Sequence, residues 1–334
     1  MYSWQQKQWQ HIMQQGAKSP NSKLPHALLL RGRAGTGKQE FAINIAKAVL
    51  CPQASALQHA CGSCVSCNWF AEGTHPDFML IGPEDTEVLD EPVKKKTTKK
   101  TQISVAKIRQ LLDYLTLSSH QANAYRVIII APADMLNAAS ANALLKVLEE
   151  PPANTLFLLV TSQPQRLLPT ITSRCQAIDM PLPSKPEALA WLTSRQINHA
   201  ENVLDLAGGA PLLALQLAEE GEVSASLLKN LALGAKLDPF VCAPVFLSVG
   251  MERALETLQK WLFDMQSYKL ANSLRYHAQQ GNALQALAKS VNLRLLLSFQ
   301  DKLIEAKKTA NHPLSNEAQL ENILLQYVQL FKSQ

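Results

Sequence analysis

A glycine-rich turn between an apolar run and an amphipathic stretch is the first pattern in this chain that could do chemistry. It reads Gly32-Arg33-Ala34-Gly35-Thr36-Gly37-Lys38 and follows the apolar residues 27–30. In a strand–turn–helix setting, backbone N–H groups of such a turn point at phosphate oxygens and the lysine contacts the terminal phosphates. The candidate nucleotide-binding residues are therefore Gly32, Gly35, Thr36, Gly37 and Lys38, with ATP or ADP as the ligand.

The turn lacks two parts that ATP hydrolysis needs. Gln39 stands where a P-loop normally has the Ser or Thr hydroxyl that binds Mg²⁺. The β-branched run 127–130 leads into Ala131 and Pro132, and Asp134 is the nearest carboxylate, which could cap the following helical turn. We therefore expect no significant ATPase activity. Two interpretations of the turn stay open: it binds nucleotide, or it is a tight strand-to-helix connection kept for the fold alone.

Four of the six cysteines crowd into one segment and could hold a metal ion. They follow the spacing C-x9-C-x2-C-x2-C and are Cys51, Cys61, Cys64 and Cys67. Thiolates two residues apart can converge on one tetrahedral ion, and four soft ligands favour a closed, structural zinc site. A redox role and chance clustering are the alternatives. His59 and His75 flank the cluster and are expected to be surface or core residues, while Cys175 and Cys242 are expected to pack as small hydrophobes.

The first half of the chain alternates buried strands with amphipathic helices. The predicted strands are 27–30, 78–81, 127–130 and 156–160, and the predicted helices are 39–50, 105–117 and 140–150. Ser104 is expected to cap the second of these helices. This alternation predicts an α/β fold with a parallel sheet wrapped by helices and interrupted by the cysteine segment.

Prolines at 181, 183 and 186 mark a change to an all-helical pattern. Short helices are predicted at 187–196 and 203–220, around Gly208-Gly209, and leucine-rich helical stretches follow, such as 284–299 and 320–331. The predicted domains are an α/β domain over 1–180 with the zinc insert at about 51–70, a small helical domain over 181–223 and an all-helical assembly domain over 224–334.

The charge of the chain has a local origin. Among 334 residues, 32 are basic and 27 acidic, but five lysines fall within residues 94–100, and without them the two signs balance. A solvated loop is favoured over a DNA contact for that segment. No apolar run approaches the ~20 residues of a membrane span, and the N-terminus lacks the apolar core of a signal peptide. The expectation is a cytoplasmic protein without a membrane partner.

One arginine has a context that could serve a neighbouring subunit. Arg174 lies in the run Thr172-Ser173-Arg174-Cys175, after Pro164 and Pro169. An arginine at a domain edge can reach a neighbour's nucleotide, because its fixed charge stabilises the charge that develops in phosphoryl transfer. The alternative is a structural or surface arginine.

Taken together, these motifs resemble the bacterial DNA polymerase III clamp loader, a member of the AAA+ group, and within it the delta-prime subunits. The resemblance covers about the first 220 residues at motif level and the helical remainder in outline. The residues that carry it are Cys61-Gly62-Ser63-Cys64-Val65-Ser66-Cys67, Gly73-Thr74-His75-Pro76-Asp77, Asn142-Ala143-Leu144-Leu145-Lys146-Val147-Leu148-Glu149-Glu150-Pro151-Pro152 and Ser173-Arg174-Cys175. It implies an AAA+ ATPase-like domain, a small lid domain and a helical collar.

The departures from the family's motor subunit, gamma/tau, imply which role the chain has. The motor has Asp-Glu at Ala131-Pro132, Thr at Gln39 and a sensing arginine where this chain has Leu212. The resemblance therefore implies a subunit that does not hydrolyse ATP but assembles with gamma/tau and delta in a five-membered ring. Arg174 would act as an arginine finger at an adjacent gamma/tau site. The indirect partners would be the sliding clamp and primed DNA, in the nucleoid-associated replisome.

Two other functions stay open at this point. One is an ATP-hydrolysing motor of the gamma/tau type or another AAA+ ATPase. The other is a zinc-dependent nucleic-acid-binding module, for which Trp69 and Phe70 would be the nearest aromatic residues, although packing within the insert explains them more simply.

Overall fold

The computed structural model describes residues 1–17, 24–54, 59–83, 102–116, 125–219, 221–309 and 316–331. It separates into two compact units, Met1–Pro183 and Ser184–Gln334. The lysine-rich segment 94–100 lies outside the described residues. Among the described helices, none combines the length and the apolar character needed to cross a membrane.

The first unit is built on a five-stranded parallel sheet with the order β2-β3-β4-β1-β5. The strands are β1 (Ala27–Arg31), β2 (Phe78–Ile81), β3 (Arg126–Ile130), β4 (Thr155–Thr161) and β5 (Gln176–Asp179). Every residue of β3 and β4 is buried, as expected for strands covered on both faces by helices. The predicted α/β class and its four predicted strands are therefore confirmed.

Strand β5 was missing from the sequence prediction. It is an edge strand of four residues in which only Ile178 is buried, so it has no apolar run that sequence patterns would detect. Its pairing with β1 brings Met180 beside the start of the glycine turn, as the hydrogen bond from the Met180 N–H to the Arg31 carbonyl at 2.8 Å shows.

Helices cover both faces of the sheet and bury two apolar clusters. They are α1 (Gln6–Ala17), α2 (Lys38–Leu50), α3 (Val65–Ala71), α4 (Val105–Thr116), α5 (Ala138–Glu149) and α6 (Pro169–Thr172). Alternate strand residues point to opposite faces. Leu28 and Leu30 therefore join the cluster that contains Phe41 of α2, whereas Leu29 joins the cluster that contains Ile108 of α4.

The predicted caps of two helices are wrong. The Ser104 hydroxyl is buried without a hydrogen-bond partner among the described residues. Helix α5 is capped by Asn137, whose side-chain oxygen accepts a hydrogen bond from the Ser140 N–H at 2.8 Å. Asn137 lies directly before the helix and so competes successfully with the more distant Asp134.

The described secondary structure of the second unit consists of helices joined by short loops. Its helices are α7 (Lys185–Ser194), α8 (Ala200–Leu206), α9 (Pro211–Glu219), α10 (Gly221–Ala232), α11 (Pro239–Leu247), α12 (Met251–Ala271), α13 (Gly281–Ser290), α14 (Leu293–Thr309) and α15 (Asn316–Gln329). Gly208 and Gly209, with φ of +64° and +88°, separate α8 from α9. The predicted helical stretch 284–299 is interrupted after Ser290, where α13 ends and Val291 adopts an extended conformation.

Two apolar cores lie within this second unit. One gathers residues of α7, α8 and α9, including Leu192 and Leu204, and the other gathers residues of α10 to α15 around Trp261 and Tyr327. The predicted boundary at 223/224 falls inside α10, and the division of this unit into lid and collar stays a prediction.

Candidate functional site

The glycine turn connects β1 to α2 at the carboxyl edge of the sheet. Gly35 and Gly37 have φ of +77° and +82°, in the left-handed region that glycine adopts without steric cost. Gly32 is needed for a different reason, because a Cβ added there would collide with the carbonyl oxygen of Met180 beyond β5. The local backbone therefore has the shape that the sequence pattern predicted, at the start of a helix that opens with Lys38.

Residues from the start of the chain bind backbone groups of this turn. The Trp4 indole N–H donates to the Thr36 carbonyl at 3.0 Å. The Gln5 side-chain amide donates to the carbonyls of Thr36 at 3.0 Å and Gly37 at 2.7 Å. The Tyr2 ring stacks on Trp4 at 4.7 Å and packs against Gly37. Sequence reasoning missed these contacts, and the only signal was an aromatic and amide-rich start that is otherwise unexplained.

The ammonium group of Lys38 is bound by the turn itself. Its Nζ donates to the carbonyl oxygen of Arg33 at 2.5 Å, and the Thr36 hydroxyl donates to the same oxygen at 3.0 Å. Lys38 is only 5% exposed. Burial lowers its pKa to about 8, against the opposing effect of the Asp134 and Glu40 carboxylates. The lysine that would contact phosphates is therefore committed to a protein carbonyl in this structure.

Asp134 connects two strand ends. Its Oδ1 accepts hydrogen bonds from the Thr161 hydroxyl at 2.5 Å and the Ser162 N–H at 3.2 Å, at the end of β4. The carboxylate also raises the pKa of Lys38 electrostatically, so it lies near the lysine of the glycine turn. The prediction that it caps a helical turn is wrong, because the β4 donors satisfy it instead.

The four predicted metal ligands converge in space. Their Sγ atoms all lie within 4.8 Å of one another, with Cys51 and Cys64 at 3.8 Å and Cys61 and Cys67 at 3.9 Å. Ligands at 2.3 Å from a tetrahedral zinc ion would be separated by about 3.8 Å. The donor set and its spacing therefore fit a zinc ion, whose chemistry here would be structural because all four positions are filled by protein.

Local structure explains how these cysteines meet. Cys51 ends α2, and Cys64 caps the start of α3 by accepting from the Cys67 N–H at 3.5 Å. Between Cys61 and Cys64 the chain turns through Gly62, whose φ is +77°. Backbone hydrogen bonds at Ser63 and Cys64 lower the pKa of the Cys61 thiol to about 6, whereas burial raises the pKa of Cys67 to about 12. Of these two thiols, Cys61 more readily provides the thiolate that a metal requires.

A buried chain of hydrogen bonds anchors this segment to the sheet. The Asp77 N–H donates to Nδ1 of His75 at 3.1 Å, which leaves Nε2 to donate to the Ser66 hydroxyl at 2.8 Å. Ser66 in turn donates to the carbonyl of Leu50 at 2.7 Å, one residue before Cys51. His75 therefore helps to hold the cysteine segment in place. This agrees with the expectation that it is a core residue and not a metal ligand. Trp69 packs edge-on against it, a packing role that the sequence favoured.

The other histidine and the two cysteines outside the cluster also have structural roles. His59 stacks on Trp9 of α1 with a centroid distance of 4.6 Å. Cys175 packs at the edge of the α4/α5 core and Cys242 is buried in the core of the second unit. These three outcomes confirm the predictions made for them.

Arg174 lies at the surface just before β5 and is held by two neighbouring elements. Its Nη2 forms an ion pair with Oε1 of Glu149 at 2.5 Å, and its Nη1 donates to the carbonyl of Thr170 at 2.8 Å. The side chain is 33% exposed, so it is not enclosed in the core. Sequence reasoning placed Arg174 at an edge but missed Glu149 as its partner.

Comparisons with known proteins agree on the family. The model of the family described as DNA polymerase III, delta subunit, matches residues 4–184, which is more than half of the chain. DNA polymerase III subunit delta-prime of Pseudomonas aeruginosa is 32% identical over 97% of this chain and 94% of its own length. The Bacillus subtilis delta-prime subunit is 28% identical over 91% of each chain.

The motor subunit of the same assembly matches over a shorter region. DNA polymerase III subunit tau of Bacillus subtilis is 35% identical over 157 residues, which cover 47% of this chain and 25% of tau. The Pseudomonas aeruginosa and Bacillus subtilis delta-prime subunits, in contrast, match over 91% or more of both chains. The chain belongs to the delta-prime family of DNA polymerase III subunits.

Proposed function

We propose that this chain is the non-hydrolysing subunit of a DNA polymerase III clamp loader. It assembles with gamma/tau and delta subunits to load the sliding clamp onto primed DNA, and it supplies Arg174 to the ATP site of a neighbouring gamma/tau subunit. In this proposal residues 1–180 form the ATPase-like domain, 181–223 the lid and 224–334 the collar that assembles with the other subunits.

One observation carries the proposal: the chain presents a surface arginine while its own phosphate loop is engaged internally. Lys38 is bound to the Arg33 carbonyl, and Trp4 and Gln5 hold the loop from outside. Gln39 offers no hydroxyl for Mg²⁺. The missing hydroxyl at Gln39 argues against turnover by this chain and agrees with a role at the nucleotide of another subunit.

The surface position of Arg174 suits a contact in trans. A guanidinium carries a permanent charge and a planar set of donors that matches phosphate oxygens. Its present contacts leave it partly accessible. Where arginine fingers have been measured, they raise hydrolysis by about 10³–10⁵.

The test is ATP turnover by the loader reconstituted with Arg174→Ala. Turnover should fall about tenfold or more, while size-exclusion chromatography shows an intact assembly. Arg166→Ala is the matched control, because Arg166 is an exposed arginine of the same unit. Unchanged turnover in the Arg174→Ala assembly would remove the proposed role.

The alternative function, an ATP-hydrolysing motor, has its own test. The purified chain is incubated with Mg-ATP and phosphate release is measured, with Lys38→Ala as the comparison. We expect no release above background from either protein. Release that Lys38→Ala abolishes would establish the motor and refute the non-hydrolysing role.

A further inference from the structure

The Arg174 side chain is oriented by contacts from two elements that are separate in sequence. Glu149 is the last residue of α5 and contributes the charged partner, while Thr170 of α6 contributes a carbonyl oxygen. The Arg174 N–H itself is bonded to the Ile171 carbonyl at 3.1 Å, which fixes the base of the side chain. Both ends of this long side chain are therefore tied to the protein.

The ion pair is too weak to stabilise the fold appreciably, and its main effect is on the orientation of Arg174. The side chains of Arg174 and Glu149 are 33% and 49% exposed, and partly exposed pairs of this kind contribute little to stability. That is too little to maintain the fold. The same contact restricts a guanidinium on a long side chain that otherwise has many rotamers. Orientation, and not stability, is the main consequence of the contact.

The position of Glu149 on its helix supports the same conclusion. The C-terminal end of α5 carries the negative end of the helix dipole, which attracts a cation. Glu150, the next residue, is the C-cap of the helix and is also exposed. Glu149 and Glu150 are therefore both exposed and both lie at the C-terminal end of α5, but it is Glu149 that forms the ion pair with Arg174. Glu150 thus provides a matched control for Glu149.

We propose that Glu149 is a positioning residue for Arg174. It holds the guanidinium at the α5–α6 edge in the direction from which Arg174 meets the phosphates of a nucleoside triphosphate bound by a neighbouring subunit. This inference rests on the proposed function, since it assigns the residue that orients the proposed finger. A pre-oriented guanidinium loses less entropy on reaching the transition state, so Glu149 acts on the rate of the chemical step.

The experiment is a double-mutant cycle in the reconstituted loader, with Glu149→Gln, Arg174→Ala and the double variant. Glu149→Gln keeps the size and polarity of the side chain and removes its charge. We expect kcat for ATP to fall about fivefold with KM unchanged, and we expect Glu150→Gln to behave as wild type. Added to Arg174→Ala, the Glu149→Gln change should have no further effect, because its action passes through the arginine.

The cycle separates this inference from the function on which it rests. No effect of Arg174→Ala refutes the finger itself. A clear effect of Arg174→Ala with wild-type kcat in Glu149→Gln refutes only the positioning role. A faster Glu149→Gln loader would mean that the glutamate restrains the arginine, which also overturns the inference. If Glu149→Gln lowers kcat by the same factor in the Arg174→Ala variant as in the wild type, then Glu149 does not act through Arg174, and the inference fails.

Discussion

At the scale of single residues, Lys38 shows a conflict between burial and charge. A phosphate-binding lysine must be protonated, yet here the ammonium lies buried against the Arg33 carbonyl and its pKa is lowered to about 8. Below that pH the folded protein bears the cost of a buried charge. A bound anion would offset this cost by pairing with the ammonium. Without a ligand, the buried charge lowers the stability of the folded protein.

Replacing this lysine should therefore stabilise the protein at neutral pH. We expect Lys38→Met to raise the free energy of unfolding by about 1–2 kcal/mol at pH 7, measured by urea denaturation. The Arg33 carbonyl keeps its hydrogen bond from Thr36 in this variant. Lys146→Met, an exposed change in the same unit, is the control. A less stable Lys38→Met protein at pH 7 would contradict the argument.

The pH dependence of this gain has a definite sign. The folded pKa of Lys38, about 8, lies below its usual value of 10.5, so between these values the unfolded chain binds more protons than the folded one. The stability of the wild type then rises with pH across this window. The advantage of Lys38→Met should therefore be full below pH 8 and shrink between pH 8 and 10.5. An advantage that grows over that range would rule out burial of charge as its cause.

At the scale of elements, the part of the cysteine segment around Cys61 and Val65 is short of apolar contacts, although Phe70 farther along packs against the cluster of α2. Val65, the first residue of α3, is 62% exposed, and Cys61 is also exposed. What fixes the segment is the buried chain from His75 through Ser66 to Leu50 together with the four converging thiols. So short an element has little core of its own, and a metal ion would supply the missing stabilisation.

Replacing one of the four cysteines should therefore abolish zinc binding and destabilise the cysteine segment. We expect the purified wild type to contain zinc by elemental analysis and Cys64→Ser to contain little or none, with a lower melting temperature. Treating the wild type with a strong chelator should lower its melting temperature in the same way. Cys175→Ser, which changes a cysteine outside the cluster, should retain zinc. Equal zinc content in Cys64→Ser and the wild type would exclude this site.

At the scale of the whole molecule, the chain consists of two units with separate cores. In the second unit, Asp264 is completely buried and receives hydrogen bonds from the N–H groups of Arg275, Tyr276 and His277 and from the His277 ring. Burial alone would raise the pKa of Asp264, but the bond from His277 and the backbone bonds outweigh it and lower the pKa. This carboxylate holds the loop between α12 and α13.

Removing its charge should destabilise one unit and spare the other. We expect Asp264→Asn to lower the stability of the second unit by about 2–4 kcal/mol, because buried donors lose their charged acceptor. Calorimetry of the full chain should show a shifted transition for this unit and an unchanged one for the first. Wild-type stability of the second unit should also fall as the pH drops through the lowered pKa of Asp264. Asp301→Asn, an exposed change, should leave both transitions in place.

Much of the fold and of the metal site follows from patterns that are local in sequence. Glycine spacing predicted the turn after β1, alternating apolar runs predicted four strands, and cysteine spacing predicted a cluster that indeed converges. These features depend on the conformations of residues a few positions apart, which residue type controls directly. For the same reason β5, with one buried side chain, escaped prediction.

Only the tertiary structure decided which distant groups meet. Trp4 and Gln5 reach a turn more than thirty positions away, Glu149 reaches Arg174, and the end of β4 takes Asp134 away from the helix it was expected to cap. Each of these contacts joins polar groups from different elements and leaves no periodic trace in the sequence. Their partners are fixed by the order of strands in the sheet, because it is the burial of the large apolar faces, and not these weak polar bonds, that determines where each chain segment lies.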